Sequence, residues 1–304
     1  MKYDAVLIAG PTASGKSQVA LSLAEALDAV IVNADSMQIY RELCILTARP
    51  SAGDMERVPH YLYGHVGVGD AYSVGRYMLD VQRLRHELSD AGKPLLFVGG
   101  TGLYFEALTK GLADIPPIPE TVRSAVRAKF GRLEGPAIHA ALSERDPEMA
   151  SELRPSDRQR MLRALEVIEA TGRSLAWWQK QRPTPTLEGM RLAKFVIDVP
   201  RELLRARISS RLQSMISHGV LEEVAALERL DPALPAAKIL GLRELIALRA
   251  GHLAEEDATH KVAILTAQYA KRQVTWARQR MADWTWERAD EPHTIIAEIL
   301  KKLI

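Results

Sequence analysis

Residues 10–17 read GPTASGKS, directly after the apolar run YDAVLIA at 3–9. The spacing matches G-x-x-x-x-G-K-[ST], the phosphate-binding loop (P-loop), in which glycines let successive backbone N–H groups point inward at a phosphate. The helix that follows adds its dipole. The predicted phosphate ligands are Gly10, Pro11, Thr12, Ala13, Ser14, Gly15, Lys16 and Ser17. Lys16 would contribute a positive charge, and the Ser17 hydroxyl could hold Mg²⁺.

Apolar runs and helical patterns alternate outward from this loop. A helix is predicted from about 16 to 27, and further strands at 29–34, 95–98 and 195–199. Such alternation is typical of a parallel sheet covered by helices on both faces. We therefore predict an α/β fold, a P-loop NTPase-like parallel sheet flanked by helices, with the chain after residue 200 helical to its end.

The middle of the chain has a different character. Residues 116–184 are charged and helical in pattern, between the proline-rich segments IPPIP (115–119) and RPTPT (182–186). We predict a helical insertion domain at 116–184 on a core made of 1–115 and 185–304. Prolines at both ends support these boundaries because they interrupt helices.

Composition sets limits on location and partners. The 304 residues are 47% apolar and 26% charged, with Cys44 as the one cysteine, so no intrachain disulfide is possible. No apolar run approaches the roughly 18 residues of a membrane span, and we expect a cytoplasmic monomer. Net charge is +2, yet Lys271, Arg272 and Arg278 fall in a stretch without acidic residues. Such a cluster is either a solvated helix face or a contact for phosphates.

The P-loop does not by itself specify a reaction. Nucleotide hydrolases usually carry a strand that ends in a magnesium-binding Asp, whereas the strand at 95–98 ends in Gly99-Gly100. Asn33 is the only asparagine, which excludes the guanine-reading Asn-Lys-x-Asp motif. These absences argue against a GTPase and weaken the ATPase interpretation, but a small-molecule kinase stays possible.

Asp35 follows the second predicted strand, where its carboxylate would face the P-loop across the ligand cleft. A carboxylate in that place can act as a general base, or it can simply cap the next helix. Position alone leaves both interpretations open. Ser36 and Gln38 could hydrogen-bond a base edge or a backbone.

Five segments occur together in one known family. They are GPTASGKS (10–17), NADSMQIYR (33–41), VGGTGLY (98–104), QRMLRALEVIEATGRS (159–174) and QYAKRQVTWAR (268–278). With these segments in this order, the chain resembles the tRNA dimethylallyltransferases, also called tRNA isopentenyltransferases, along essentially its whole length.

The resemblance implies a reaction and its catalytic residues. The P-loop would hold dimethylallyl diphosphate, and the acceptor would be N6 of adenosine 37 in the anticodon stem-loop of tRNAs that read codons starting with U. Asp35 would accept the N6 proton. Lys16, Mg²⁺ on Ser17 and Arg211 would neutralise the departing diphosphate, with Arg207 as the alternative to Arg211. Thr101 would lie close to the entering base.

The family's tRNA contacts map onto a defined set of positions. They are Asp35, Ser36, Met37, Gln38, Thr101, Arg123, Gln159, Arg160, Met161, Leu162, Arg163, Lys271, Arg272 and Arg278. Three positions depart from the family's usual pattern, namely Leu46, Tyr61 and Leu242. The alternatives to prenyl transfer are an ATP-dependent small-molecule or nucleoside kinase and an RNA-binding protein without catalysis.

Overall fold

The computed structural model describes residues 2–181, 183–288 and 291–304. The chain forms two compact units. The larger unit runs to Thr109 and resumes at Thr186, and the smaller unit is Lys110–Pro185. The smaller unit therefore begins at Lys110, ahead of the boundary at 116 expected from the sequence.

A six-stranded, all-parallel sheet forms the centre of the larger unit, in the order β3-β2-β4-β1-β5-β6. Its strands are β1 (Ala5–Ala9), β2 (Val30–Asn33), β3 (His60–Tyr61), β4 (Leu95–Gly99), β5 (Leu192–Asp198) and β6 (Thr285–Arg288). The inner strands β1, β2 and β4 are buried at every position. Continuous apolar runs are what a parallel sheet covered on both faces requires, so the predicted α/β fold class is confirmed.

Two strands are not anticipated by the sequence pattern. The prediction that the chain is helical from residue 200 to its end is wrong at β6, which pairs with β5 through Val196 and Trp286. The two-residue strand β3 lies at the edge of the sheet and pairs with β2. Both are short edge strands whose pairing comes from the neighbouring strand, so neither needs an apolar run of its own.

Helices cover both faces of the sheet. Those of the larger unit are α1 (Lys16–Leu27), α2 (Ala52–Arg57), α3 (Val74–Glu87), α4 (Gly102–Thr109), α10 (Arg201–Ser217), α11 (Val220–Ala225), α12 (Leu242–Arg249), α13 (Glu255–Arg280) and α14 (Pro292–Leu303). One face packs on α1, α10 and α14 through residues such as Leu23, Leu204 and Ile299. The other face packs on α3 and α4 through residues such as Tyr77 and Phe105.

A third apolar cluster lies away from the sheet. It joins α10, α11, α12 and α13 to the segment after β2, with Leu43 and Leu245 fully buried. This cluster places α10 and α13 beside the carboxyl ends of the central strands, where α/β folds bind their ligands.

The smaller unit has its own core and five helices. They are α5 (Glu120–Phe130), α6 (Gly135–Arg145), α7 (Pro147–Glu152), α8 (Arg158–Thr171) and α9 (Leu175–Lys180). Ile138, Leu142 and Leu165 are fully buried in its centre. Among the described residues of both units, no helix has the length and apolar character needed to cross a bilayer.

Candidate active site

The P-loop connects β1 to α1 through backbone that few residues adopt. Ala13 and Gly15 have φ of 64° and 85°, in the left-handed region that favours glycine. Gly15 is the N-cap of α1 and provides no side-chain hydrogen bond to the helix, which leaves N–H groups of the first turn for a ligand. The buried Ser14 hydroxyl has no partner among the described residues. Together these donors form a site suited to phosphate oxygens.

Lys16 lies in this loop, with Nζ donating to the carbonyl oxygen of Pro11 at 3.2 Å. The pKa of the Lys16 ammonium is lowered to about 8, chiefly by burial, while the Asp35 carboxylate acts to raise it and the Arg211 guanidinium acts to lower it. Its positive charge is therefore held in a desolvated place without a bonded carboxylate. An anionic ligand would provide the missing counter-charge.

Two arginines of α10 reach the same loop. Arg211 Nη1 lies 3.4 Å from Thr12 Oγ1, and Arg207 Nη1 donates to the Ser14 carbonyl oxygen at 3.2 Å. Burial lowers the pKa of Arg211, although Asp35 acts against this shift. The structure therefore brings both the predicted arginine and its alternative to the P-loop.

Asp35 is 8% exposed and is held from behind by Asn33. Asn33 Oδ1 accepts from the Asp35 N–H at 2.8 Å, and Asn33 Nδ2 donates to the Asp35 carbonyl oxygen at 2.9 Å. Tyr77 fixes Asn33 in turn by donating to its carbonyl oxygen at 3.0 Å. The only asparagine in the chain thus orients the candidate base, a role that its sequence position did not reveal.

The two Asp35 carboxylate oxygens face different surroundings. Oδ1 accepts from the Met37 N–H at 3.0 Å in a local turn. The helix-capping interpretation is wrong, because the next helix after β2 is α2, which begins at Ala52 and is capped by Ser51. Oδ2 points toward Gly100, where an added Cβ would lie 3.3 Å from it. The Asp35 side chain therefore combines a local turn contact through Oδ1 with a second oxygen, Oδ2, near Gly100.

Thr101 is bonded across the cleft to the segment after β2. Its Oγ1 accepts from the Ser36 N–H at 2.8 Å and donates to Ser36 Oγ at 3.1 Å. The hydroxyl therefore does not serve as a plain cap of α4. Thr101 instead fixes the segment that carries Asp35.

Three glycines at the start of α4 and just before it allow close packing that side chains would prevent. A Cβ at Gly99 would lie 2.0 Å from the Ala34 carbonyl oxygen, and one at Gly100 would lie 2.1 Å from Gln273 Nε2. At Gly102 it would lie 2.2 Å from the Trp276 ring. Trp276 therefore packs against the start of α4.

We expect Gly99→Ala to destabilise the protein by about 1–3 kcal/mol, because the new methyl would overlap backbone that cannot rotate away. Urea denaturation followed by circular dichroism measures this change. Gly69→Ala is the matched control, since no atom lies within 4 Å of a Cβ at Gly69. Equal stability of the two variants would contradict the packing argument.

Gln273 of α13 joins the P-loop to the turn after β4. Its Oε1 accepts from the Thr12 N–H at 2.8 Å, and its Nε2 donates to the Gly100 carbonyl oxygen at 2.9 Å. Sequence reasoning gave Gln273 no role, although it lies inside the QYAKRQVTWAR segment. Its spacing from Tyr269, one helical turn earlier, is the signal that could have identified it.

Two cavities open at this centre. The larger, of about 250 Å³, is mostly apolar and runs from Gly10 and Thr101 to Phe105, Met281 and Trp286. The smaller, of about 70 Å³, is lined by Asp35, Met37, Thr47, Arg211 and Met215, among others. Tyr269 lines both cavities, and burial raises its pKa well above the usual range, so its hydroxyl stays neutral. The two cavities therefore offer separate places for two ligands, and the smaller one includes Asp35 in its lining.

Two predicted tRNA contacts need correction. Both hydrogens of the Gln38 amide are used inside the protein, because Nε2 donates to the carbonyl oxygens of Thr47 and Ala48 at 2.9 and 2.7 Å. Met161 is fully buried in the core of the smaller unit, so its side chain does not reach the surface. The RNA-facing interpretation is therefore wrong for the Gln38 amide hydrogens and the Met161 side chain.

The other predicted contacts divide between the two units. On α13, Lys271, Arg272 and Arg278 are exposed, and the Arg272 guanidinium lies 5.7 Å from the Tyr269 ring centre. In the smaller unit the contacts are Arg123 of α5 and Gln159, Arg160, Leu162 and Arg163 of α8. Of these, Gln159 and Arg160 are exposed.

Two of the three departures from the family pattern belong to one apolar cluster. Leu46 is 7% and Leu242 2% exposed, and both pack with Val262. Leu46 also lines the smaller cavity, so this departure shapes the wall near Asp35. The third departure, Tyr61, lies in β3.

Comparisons with known proteins identify the family of the chain. A family model described as IPP transferase matches residues 38–280, and one described as isopentenyl transferase matches 3–64. A tRNA dimethylallyltransferase of Parvibaculum lavamentivorans is 49% identical over 97% of this chain and 94% of its own length. One from Chelativorans is 48% identical, over 93% of this chain and 98% of its own.

A solved structure extends the likeness to the fold. The tRNA isopentenylpyrophosphate transferase of Bacillus halodurans superposes with a TM-score of 0.69 at 30% identity, covering 99% of this chain and 96% of that one. The family models together span the P-loop, Asp35, Thr101 and Gln273. The chain therefore belongs to the IPP transferase family of tRNA dimethylallyltransferases.

Proposed function

We propose that this protein transfers a dimethylallyl group from dimethylallyl diphosphate to N6 of adenosine 37 in tRNAs reading codons that start with U. The observation that carries the proposal is one cleft in which Asp35 faces a P-loop supported by Lys16 and Arg211. The identity of the two substrates comes from the relatives of this chain, which are named tRNA dimethylallyltransferases.

The donor's diphosphate would occupy the P-loop. N–H groups at the start of α1, the Lys16 ammonium and the Arg211 guanidinium would bind its oxygens. Its five-carbon chain would enter the larger cavity, whose apolar floor includes Phe105 and Met281. An apolar chamber beside an anion site matches the two halves of this donor.

The acceptor base would reach Asp35 from the smaller cavity, after leaving the anticodon stack. The N6 lone pair forms a bond to C1 of the allyl group as the C1–O bond breaks, and diphosphate leaves with the bonding electrons. Asp35 accepts the proton that N6 loses. An exocyclic amine is a weak nucleophile, so positioning by Asn33 and Thr101 also contributes.

The P-loop suits a Mg²⁺ ion bound jointly by the protein and the diphosphate. The Ser17 hydroxyl is exposed at the first turn of α1, and magnesium commonly combines one such oxygen with phosphate oxygens and water. When bound, the ion would neutralise charge on the departing diphosphate. Lys16 and Arg211 supply the same kind of stabilisation from the protein itself.

We assign tRNA contacts to each unit taken by itself. We assign the exposed Lys271, Arg272 and Arg278 to phosphate contacts, together with Arg123 and the exposed residues of α8. Such contacts position an RNA without reading its sequence. Because tRNA is a cytoplasmic molecule in bacteria, we place the enzyme in the cytoplasm.

Labelled dimethylallyl diphosphate, incubated with unmodified tRNA and Mg²⁺, tests the proposal directly. We expect label in the tRNA at position 37 and release of diphosphate. ATP consumption with no labelled tRNA would instead support the kinase alternative. The family assignment favours the first outcome.

Met281→Ala tests the assignment of the larger cavity. We expect the ratio of geranyl to dimethylallyl transfer to rise about tenfold, because the shortened side chain deepens the apolar chamber. Competition between the two donors measures the ratio. Met215→Ala, which enlarges the smaller cavity, is the matched control and should leave the ratio unchanged. A larger effect at Met215 would place the prenyl chain in the smaller cavity instead.

A further inference from the structure

Glu223 makes an unusual set of contacts for a residue outside the catalytic centre. Its Oε2 accepts from the N–H groups of Cys44 and Ile45, each at 2.7 Å, and its Oε1 accepts from the Leu46 N–H at 2.8 Å. One carboxylate thus binds three consecutive backbone donors. Hydrogen bonds to a charged acceptor are among the stronger ones in proteins.

Backbone donors are the principal partners of this charge. Glu223 is half-buried on the first turn of α11, and no ion pair within the described residues includes it. Successive N–H groups around an anion form a concave binding site called a nest. Here the Glu223 side chain occupies the nest, although it lies at least 177 residues from the nest in sequence.

The segment that Glu223 binds, residues 44–46, continues into one wall of the smaller cavity. Leu46 and Thr47 line the smaller cavity with Asp35. Gln38 binds the carbonyl oxygens at the far end of the segment, those of Thr47 and Ala48. Glu223 therefore fixes one end of this wall through N–H groups, and Gln38 fixes the other end through carbonyl groups.

We propose that Glu223 is a positioning residue that sets the acceptor side of the active site. The inference rests on the proposed function, because the smaller cavity is the one assigned to the acceptor. Loss of the carboxylate would release the 44–46 backbone and displace Leu46 beside Asp35. The P-loop and the larger cavity are built from other segments, so donor binding would stay as it is.

The test measures steady-state kinetics for each substrate in Glu223→Ala and Glu223→Gln. We expect Glu223→Ala to raise KM for tRNA at least about tenfold and to leave KM for dimethylallyl diphosphate within about twofold. Glu223→Gln keeps one acceptor oxygen and should lie between wild type and alanine. Glu222→Ala is the matched control, since Glu222 is the exposed neighbour on the same helix.

Amide hydrogen exchange gives a readout that does not depend on activity. The N–H groups of residues 44–46 should exchange faster in Glu223→Ala, with exchange in β1, β2 and β4 unchanged. Unaltered exchange at 44–46, or faster exchange with an unaltered KM for tRNA, would overturn the proposal. Equal rises in both KM values would overturn it too. If wild-type protein labels no tRNA, the proposed function fails while the exchange result still decides whether Glu223 holds the segment.

Discussion

Replacing Asp35 by asparagine or alanine should lower turnover of tRNA by at least about 100-fold, the usual scale for loss of a general base. Among the described residues that line the smaller cavity, Asp35 supplies the carboxylate. Without it, the N6 proton has no acceptor as the new bond forms. Single-turnover labelling with saturating donor and tRNA isolates this step from binding.

Asparagine is the sharper of the two substitutions because it preserves the local fold. Its amide oxygen can still accept from the Met37 N–H, as Asp35 Oδ1 does at 3.0 Å, while the basic oxygen is lost. Affinity for tRNA, measured by filter binding, should therefore stay near that of wild type. Asp70→Ala is a matched control, since that carboxylate is exposed and its hydrogen bond within the described part of the chain comes from the Gly67 N–H. Turnover comparable to wild type in Asp35→Asn would refute the assigned role.

The central strands and the P-loop could be predicted because their signals are local. The apolar run before GPTASGKS becomes β1, and the run at 95–98 becomes β4 with one further residue, Gly99. A strand that is buried on both faces needs a continuous apolar run, and such a run is visible in the sequence. The edge strand β6 carries no such run, because its place is decided by pairing with β5.

The sequence indicated the acidic and basic residues at the centre of the site. It did not indicate the polar residues that hold them in place. Gln273 and Glu223 act through bonds to backbone atoms that are distant in the chain, 261 residues away for Gln273 and Thr12. Asn33 acts through the backbone of its near neighbour Asp35. Polar residues with such partners look like surface residues in a single sequence. Gln38 shows the opposite error, because a polar side chain near the cleft is used inside the protein.

Replacing Lys16 by methionine should lower kcat/KM for the donor by about 10²–10³, the range found when one preorganised donor to a developing anion is removed. The ammonium lies in the P-loop with its pKa lowered to about 8 by burial. Methionine keeps the length and the apolar stem but supplies no charge. Initial rates at varied donor concentration measure the loss.

The lowered pKa adds a pH dependence with a definite sign. Below pH 8 Lys16 is charged and can bind diphosphate, whereas above pH 8 the free enzyme loses this proton and must recover it to bind. KM for the donor should therefore rise about tenfold between pH 7 and pH 9. Lys16→Arg should show a flat profile over this range, because a guanidinium stays protonated. A wild-type KM that does not change between pH 7 and 9 would show that the Lys16 ammonium is not what binds the diphosphate.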